Sequence, residues 1–251
     1  MQTATPIISK VVQAYRSTEE QARLLLQALE NCRSTPLTTR CICYLAHKVA
    51  RSWESNPSPE TVKAVYCLMI HLFKSTALCP DDGQLENGLQ YFCQSTSSSI
   101  PTICPSLTLL MAVHYIGKLK HTCGDIKSTT GCATRITIVA YITASKFLQS
   151  NLRMIINAKG SVSPPSVSTD RSAQDAITEA WDDPEKRRRL KKMELEFLHL
   201  LNYNLFIQHP CELVWWAQAF QTETEPPPLC STSSDYTSAD EGDDELDTDT
   251  E

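Results

Sequence analysis

Glycine is scarce in this chain, seven residues in 251, and none of the seven sits in a phosphate-cradling loop or a nucleophile elbow. That scarcity excludes the Walker and Rossmann glycine patterns and the G-x-S-x-G hydrolase motif. No stretch alternates apolar and polar residues as a strand would, so a sheet-based fold is not expected. Uninterrupted apolar runs of about 18 residues are missing, so neither is a membrane-spanning helix. Met1 to Lys10 lacks a basic head followed by an apolar run, and no secretory signal is read there. The six histidines are scattered, and none accompanies a nucleophile motif. An enzyme with an active site of its own is therefore not expected, nor is a metal or a cofactor.

Basic charge stops at Lys192. Residues 193–251 hold fourteen Asp and Glu and no Lys or Arg, whereas residues 1–192 hold all 23 Lys and Arg against fifteen acids. A mildly basic body thus carries an acidic end. The body's charge is too dilute to argue for direct nucleic-acid binding. Apolar residues make up 41% of the chain, enough for a sizeable core, and with so little glycine they point to an all-α protein. Eleven cysteines, an odd count without regular spacing, fit reduced thiols inside a cell.

The helical pattern starts early. Ser17-Thr18-Glu19-Glu20 reads as a capping-box start, followed by Ala22, Leu25, Ala28 and Leu29 at helical spacing. A second helix over about 38–55 aligns Ile42, Leu45, Ala46, Val49 and Trp53. Ser58-Pro59 supplies a cap and a first-turn proline for a third, carrying Val62, Val65, Tyr66, Met69 and Phe73. Leu85, Leu89 and Phe92 mark a short helix, and Leu107, Leu110, Met111, His114 and Tyr115 open another that fades at Lys120.

Residues 134–148 read as the centre of the fold. Ile136, Val139, Ala140, Thr143 and Phe147 share one face of this helix, and Ile138, Tyr141 and Ile142 fill the other. A helix apolar nearly all round belongs inside a bundle. Lys146, one turn from its end, either lays its stem on apolar surface or offers its ammonium at the rim of a docking groove.

Residues 160–172 are rich in Ser and Pro and read as part of a flexible insert over about 151–178. Asp183-Pro184 then opens a long helix striped by Leu190, Met193, Phe197 and Leu201. Tyr203-Asn204-Leu205 turns the chain into a last helix holding Val214, Trp215 and Phe220. The segment 221–251 has too little apolar area to offset its chain entropy and reads as a disordered acidic tail.

Two segments, in this order, resemble the cyclin box. One comprises Tyr115-Ile116, Lys118-Leu119, Thr134-Arg135 and Ala144-Ser145-Lys146-Phe147-Leu148; the other is Lys192-Met193-Glu194-Leu195-Glu196-Phe197-Leu198 with Leu201, Tyr203 and Leu205. They are similar to the phosphate-regulon (P/U-type) cyclins of fungi and the P-type cyclins of plants. The resemblance implies a five-helix cyclin box at 83–220 beside a helical N-terminal extension at 1–82. It implies a regulatory subunit that binds and activates a cyclin-dependent protein kinase as a heterodimer and helps select protein substrates, in the cell cycle or in phosphate signalling. It assigns kinase binding to Lys146 and Glu194, with Phe147 and Leu198 as apolar contacts. The alternative is a cyclin-fold transcription factor, or another helical scaffold without a kinase. Three departures stand out: Gly117-Lys118 where the family has Asp-Arg, a longer loop after the central helix with Ala180-Trp181 in place of a Gly-Gly signature, and three early helices without counterpart.

The densest basic run is Lys186, Arg187, Arg188, Arg189, Lys191 and Lys192. It reads as a solvated helix start, as a nuclear import signal that would give nuclear and cytoplasmic residence, or as a cradle for an anion or acidic substrate segment. Ser163 (before Pro164) suits a proline-directed kinase and Ser238 an acid-directed one. Cys41-x-Cys43 with His47 invites a zinc reading, but i and i+2 point apart on a helix, so core cysteines are expected.

Overall fold

The computed structural model describes residues 5–77, 89, 102–124, 127, 131–158 and 184–222. Among these the chain is all helical: α1 (Thr5–Ser34), α2 (Thr39–Trp53), α3 (Pro59–Ser75), α4 (Pro105–Cys123), α5 (Cys132–Ala158), α6 (Pro184–Leu200) and α7 (Pro210–Thr222). Extended pairing among them is limited to one isolated bridge, Ala77 with Thr102. None of these helices is long and apolar enough to cross a membrane.

Local chemistry sets several boundaries where the sequence placed them. Thr38 caps α2 by accepting from the N–H of Cys41, and Ser58 caps α3 by accepting from Thr61, with Pro59 in the first turn. The apolar stripe of α2 is buried as spaced: Ile42, Leu45, Ala46, Val49 and Trp53 all face inward. At the end of α6, the N–H of Tyr203 donates to the carbonyl of Leu198 and that of Asn202 to His199. This is the Schellman pattern, with Asn202 left-handed at φ 51° where glycine is more usual.

Three expectations change. The capping box at Ser17 starts nothing: α1 runs through it from Thr5. The helix-forming residues before Ser17 continue the element upstream, while Ala22, Leu25, Ala28 and Leu29 pack into the core as spaced. The central helix does not stop near Gln149 either. It continues to Ala158 with Asn151 and Leu152 buried, so the start of the insert read from residue 151 lies inside α5. Finally, Trp215 does not join the inward stripe of α7. It is 58% exposed, and Val214 and Ala217 face the core instead. The expected helix around Leu89 falls outside the described residues save Leu89 itself, which packs against the core. The acidic tail read from residue 221 lies outside them from residue 223, whereas Gln221 and Thr222 belong to α7.

The centre is a pair of helices rather than one. In α4 every residue from Ser106 to Ala112 is buried, and in α5 every residue from Val139 to Ser145. The two pack along each other, α1, α2 and α3 touch both, α6 lies on α5 and α7 on α4. One continuous apolar core therefore joins the early helices to the later ones. Two pairs of buried hydroxyls inside it are matched, Tyr141 with Thr76 at 2.6 Å and Thr102 with Thr108 at 2.6 Å, whereas the Thr143 hydroxyl on α5 is buried without a partner.

Two long-range polar anchors fix the ends of the central pair. Glu54, just past α2 and buried, accepts from the backbone N–H of Gly131 at 2.9 Å and Ala133 at 3.4 Å, capping the N-terminus of α5 from outside. Gly131 has φ 85°, a conformation a side chain would strain. On α4, Lys118 donates to the carbonyls of Asn204 and Phe206 at 2.9 and 3.1 Å, and the Tyr115 hydroxyl donates to that of Leu205 at 2.9 Å. Gln21 of α1 accepts from the N–H of Ile207 at 3.1 Å. The α6–α7 connection is thus tied down by two neighbouring helices.

Candidate functional site

Lys146 directly follows the buried stretch of α5, where the helix surfaces beside α6. Its ammonium donates to both carboxylate oxygens of Glu194, at 2.7 and 2.6 Å. The two side chains are unequally wet: Lys146 is 58% exposed, Glu194 only 12%. A carboxylate so shielded depends on its cation for the solvation it has lost. The lysine, by contrast, keeps donor capacity facing outward.

Phe147, the next residue, is half-buried and meets the Tyr115 ring edge-on, centroids 6.4 Å apart. Its outer side lines a half-open groove of about 320 Å³ shared with Gln21, Met154, Tyr203, Leu205 and Phe206. Met154, Tyr203 and Phe206 are exposed large apolar side chains. Leu198 is half-buried on α6, four residues beyond Glu194 and so on the same flank of that helix, with Leu195 exposed nearby in sequence. An ammonium–carboxylate pair therefore stands beside an apolar groove, chemistry suited to a helix or strand that brings both a polar end and an apolar side chain. Sequence reading found the pair and Phe147 but missed Met154, Tyr203 and Phe206. Tyr203 enters the sequence reading as part of a turn and of the second segment of the resemblance, without a role at the site; its left-handed φ of 56° is a feature that spacing does not reveal.

The Gly117-Lys118 departure has a structural counterpart. No Asp-Arg pair is present, and Lys118, together with Tyr115 and Gln21, braces the α6–α7 connection that forms one wall of the groove. Partial burial holds its ammonium below the usual lysine range. Burial, with Lys118 one turn away, likewise holds His114 below the ordinary histidine value.

The remaining candidates do not gather here. Lys186, Arg187, Arg188, Arg189, Lys191 and Lys192 are all exposed and wind around the first turns of α6. Lys192 reaches Glu196 at 3.9 Å. Ser163 and Ser238 lie outside the described residues. Cys41 is buried, its thiol pushed up to about 11 by burial, which suits a core residue better than a metal ligand. No three His, Cys, Asp or Glu side chains converge among the described residues. Comparison with known proteins found no family model, no curated protein and no solved structure that matches the chain.

Proposed function

We propose that the protein is a cyclin-like regulatory subunit, built on a five-helix cyclin box, that binds a cyclin-dependent protein kinase and favours its active conformation. The observation that carries this reading is the Lys146–Glu194 pair with Phe147 and Leu198 beside it. The resemblance of the two sequence segments assigned kinase contact to these four residues, which spacing along the chain could not have brought together. Lys146 retains outward donors for carbonyl groups at the end of a docked helix, and the groove beside Phe147 takes an apolar side chain of the same helix.

As a regulatory subunit the chain contributes no catalytic group. It acts by differential affinity: moving a kinase from 1:99 to 99:1 in favour of its active state requires about 5.5 kcal/mol of preference. The basic run on α6 serves nuclear import in this reading, giving nuclear and cytoplasmic residence.

The test is affinity purification of the full chain from its own cells, wild type beside Lys146→Ala. A Ser/Thr kinase of the cyclin-dependent class is expected with the wild type. Truncating one partner of a charge pair that docking desolvates costs about 2–5 kcal/mol, so the variant loses at least about thirtyfold in affinity. Recovery of nucleic-acid complexes instead, or of kinase in equal amount with both proteins, refutes the reading.

A further inference from the structure

A second groove lies between α2, α4 and α7, adjoining the first through Lys118. It encloses about 420 Å³, half open to solvent, and is walled by Leu45 and Lys48 of α2, His114 and Lys118 of α4, and Leu213 and Trp216 of α7. Its surface is mainly apolar, and among the described residues all the ionisable groups lining it are basic types and no carboxylate lines it. Lys48 lies over the Trp216 ring at 5.9 Å, and Tyr44 and Phe220 extend the aromatic surface from Trp216, with ring centroids 5.8 and 5.6 Å from it. Trp215 and Trp216 are both exposed. Such a surface favours an acidic segment that also brings bulky apolar side chains.

The chain owns such a segment. Residues 223–251 contain eleven Asp and Glu, no Lys or Arg, and the apolar side chains Leu229, Tyr236 and Leu246. They begin where α7 ends, at Thr222. At about 1.5 Å per residue, Trp216 lies only about 9 Å along the helix from that point. The fourteen residues from Thr222 to Tyr236 span up to about 46 Å when extended, ample to turn back on the groove. A tether of this length gives an effective concentration near the millimolar range, so even weak contacts fill the site.

We infer that the acidic tail, residues 223–251, docks in cis on the groove between α2, α4 and α7, its carboxylates facing Lys48 and an apolar side chain against Trp216. This inference does not rest on the kinase reading; it concerns a different groove.

The experiment uses the full chain, isotopically labelled, and a full-length variant in which the Asp and Glu of 235–251 are replaced by Asn and Gln, leaving the helices untouched. Expected is a difference in the NMR positions of the Trp216 indole N–H and of backbone amides around Lys48 and His114, independent of protein concentration. Lys48→Glu in the otherwise native chain shifts the Trp216 indole in the same direction. Spectra that differ only within the tail, or around Lys186–Lys192, overturn the assignment. Differences that vanish on dilution overturn it too, because they report a contact between copies.

Discussion

Replacing Glu54 offers the sharpest test of how this fold is held. Its carboxylate is buried and takes two backbone N–H groups at the start of α5, one at 2.9 Å and a longer one at 3.4 Å. Glu54→Ala strands a buried donor at Ala133 and leaves Gly131 without its partner, at about 1–3 kcal/mol for the unsatisfied groups. It also removes a negative charge from a helix N-terminus, worth up to about 2 kcal/mol where partly buried. Because the second hydrogen bond is long, the lower half of each range applies, and the expected loss is about 1–3 kcal/mol. Glu54→Gln retains an acceptor oxygen and forfeits only the charge, so it should lose about 1 kcal/mol. Urea unfolding followed by circular dichroism measures both. The ordering is the diagnostic: Ala well below Gln, Gln below wild type. If both variants unfold within about 0.5 kcal/mol of wild type, the ordinary range for surface changes, the carboxylate does not hold the central helix.

Other expectations follow from the same geometry. A double-mutant cycle of Lys146→Ala and Glu194→Ala, read by unfolding, should give a coupling of about 1–2 kcal/mol, between an exposed pair and a buried charge-assisted bond; zero coupling would mean the contact is inert. Lys118→Met removes the brace on Asn204 and Phe206 and should cost about 2 kcal/mol, and hydrogen exchange should quicken across residues 201–209. His114, held below its ordinary value, binds fewer protons folded than unfolded, so its contribution makes stability fall as pH drops through about 6.5. The stability of wild type relative to His114→Gln should therefore decline on acidification by no more than about 1.4 kcal/mol per pH unit; a constant difference from pH 8 to 5 refutes it.

What could be read from the chain was local. Thr38, Ser58 and Pro59 act within a turn of themselves, so α2 and α3 start where expected. The capping box at Ser17 failed because a motif permitted inside a helix says nothing about whether that helix continues upstream. Trp215 failed because helical spacing weighs hydrophobicity without volume; the tight inward place on α7 went to Ala217. Glu54 and Lys118 were beyond reach, since each acts on backbone 77 or 86 residues away. Lys146 and Glu194, 48 residues apart, were linked only through family resemblance, and no periodicity connects them.

The helix that supplies Glu194 is shallowly rooted. Phe197 is its one fully buried residue, and its carboxyl end is fixed by the Schellman turn and the braced connection, while its opening turns expose the whole cationic run. Held by Phe197, the partly buried Leu190 and Met193 and the Lys146–Glu194 pair, α6 is expected to open from the body before helices with more buried residues. Any ligand that grips Lys146 and Glu194 at once selects the closed arrangement from that ensemble, so its apparent affinity is scaled by the closed fraction. Substitutions that reseat Leu190 or Met193 more firmly would then tighten binding without touching the ligand.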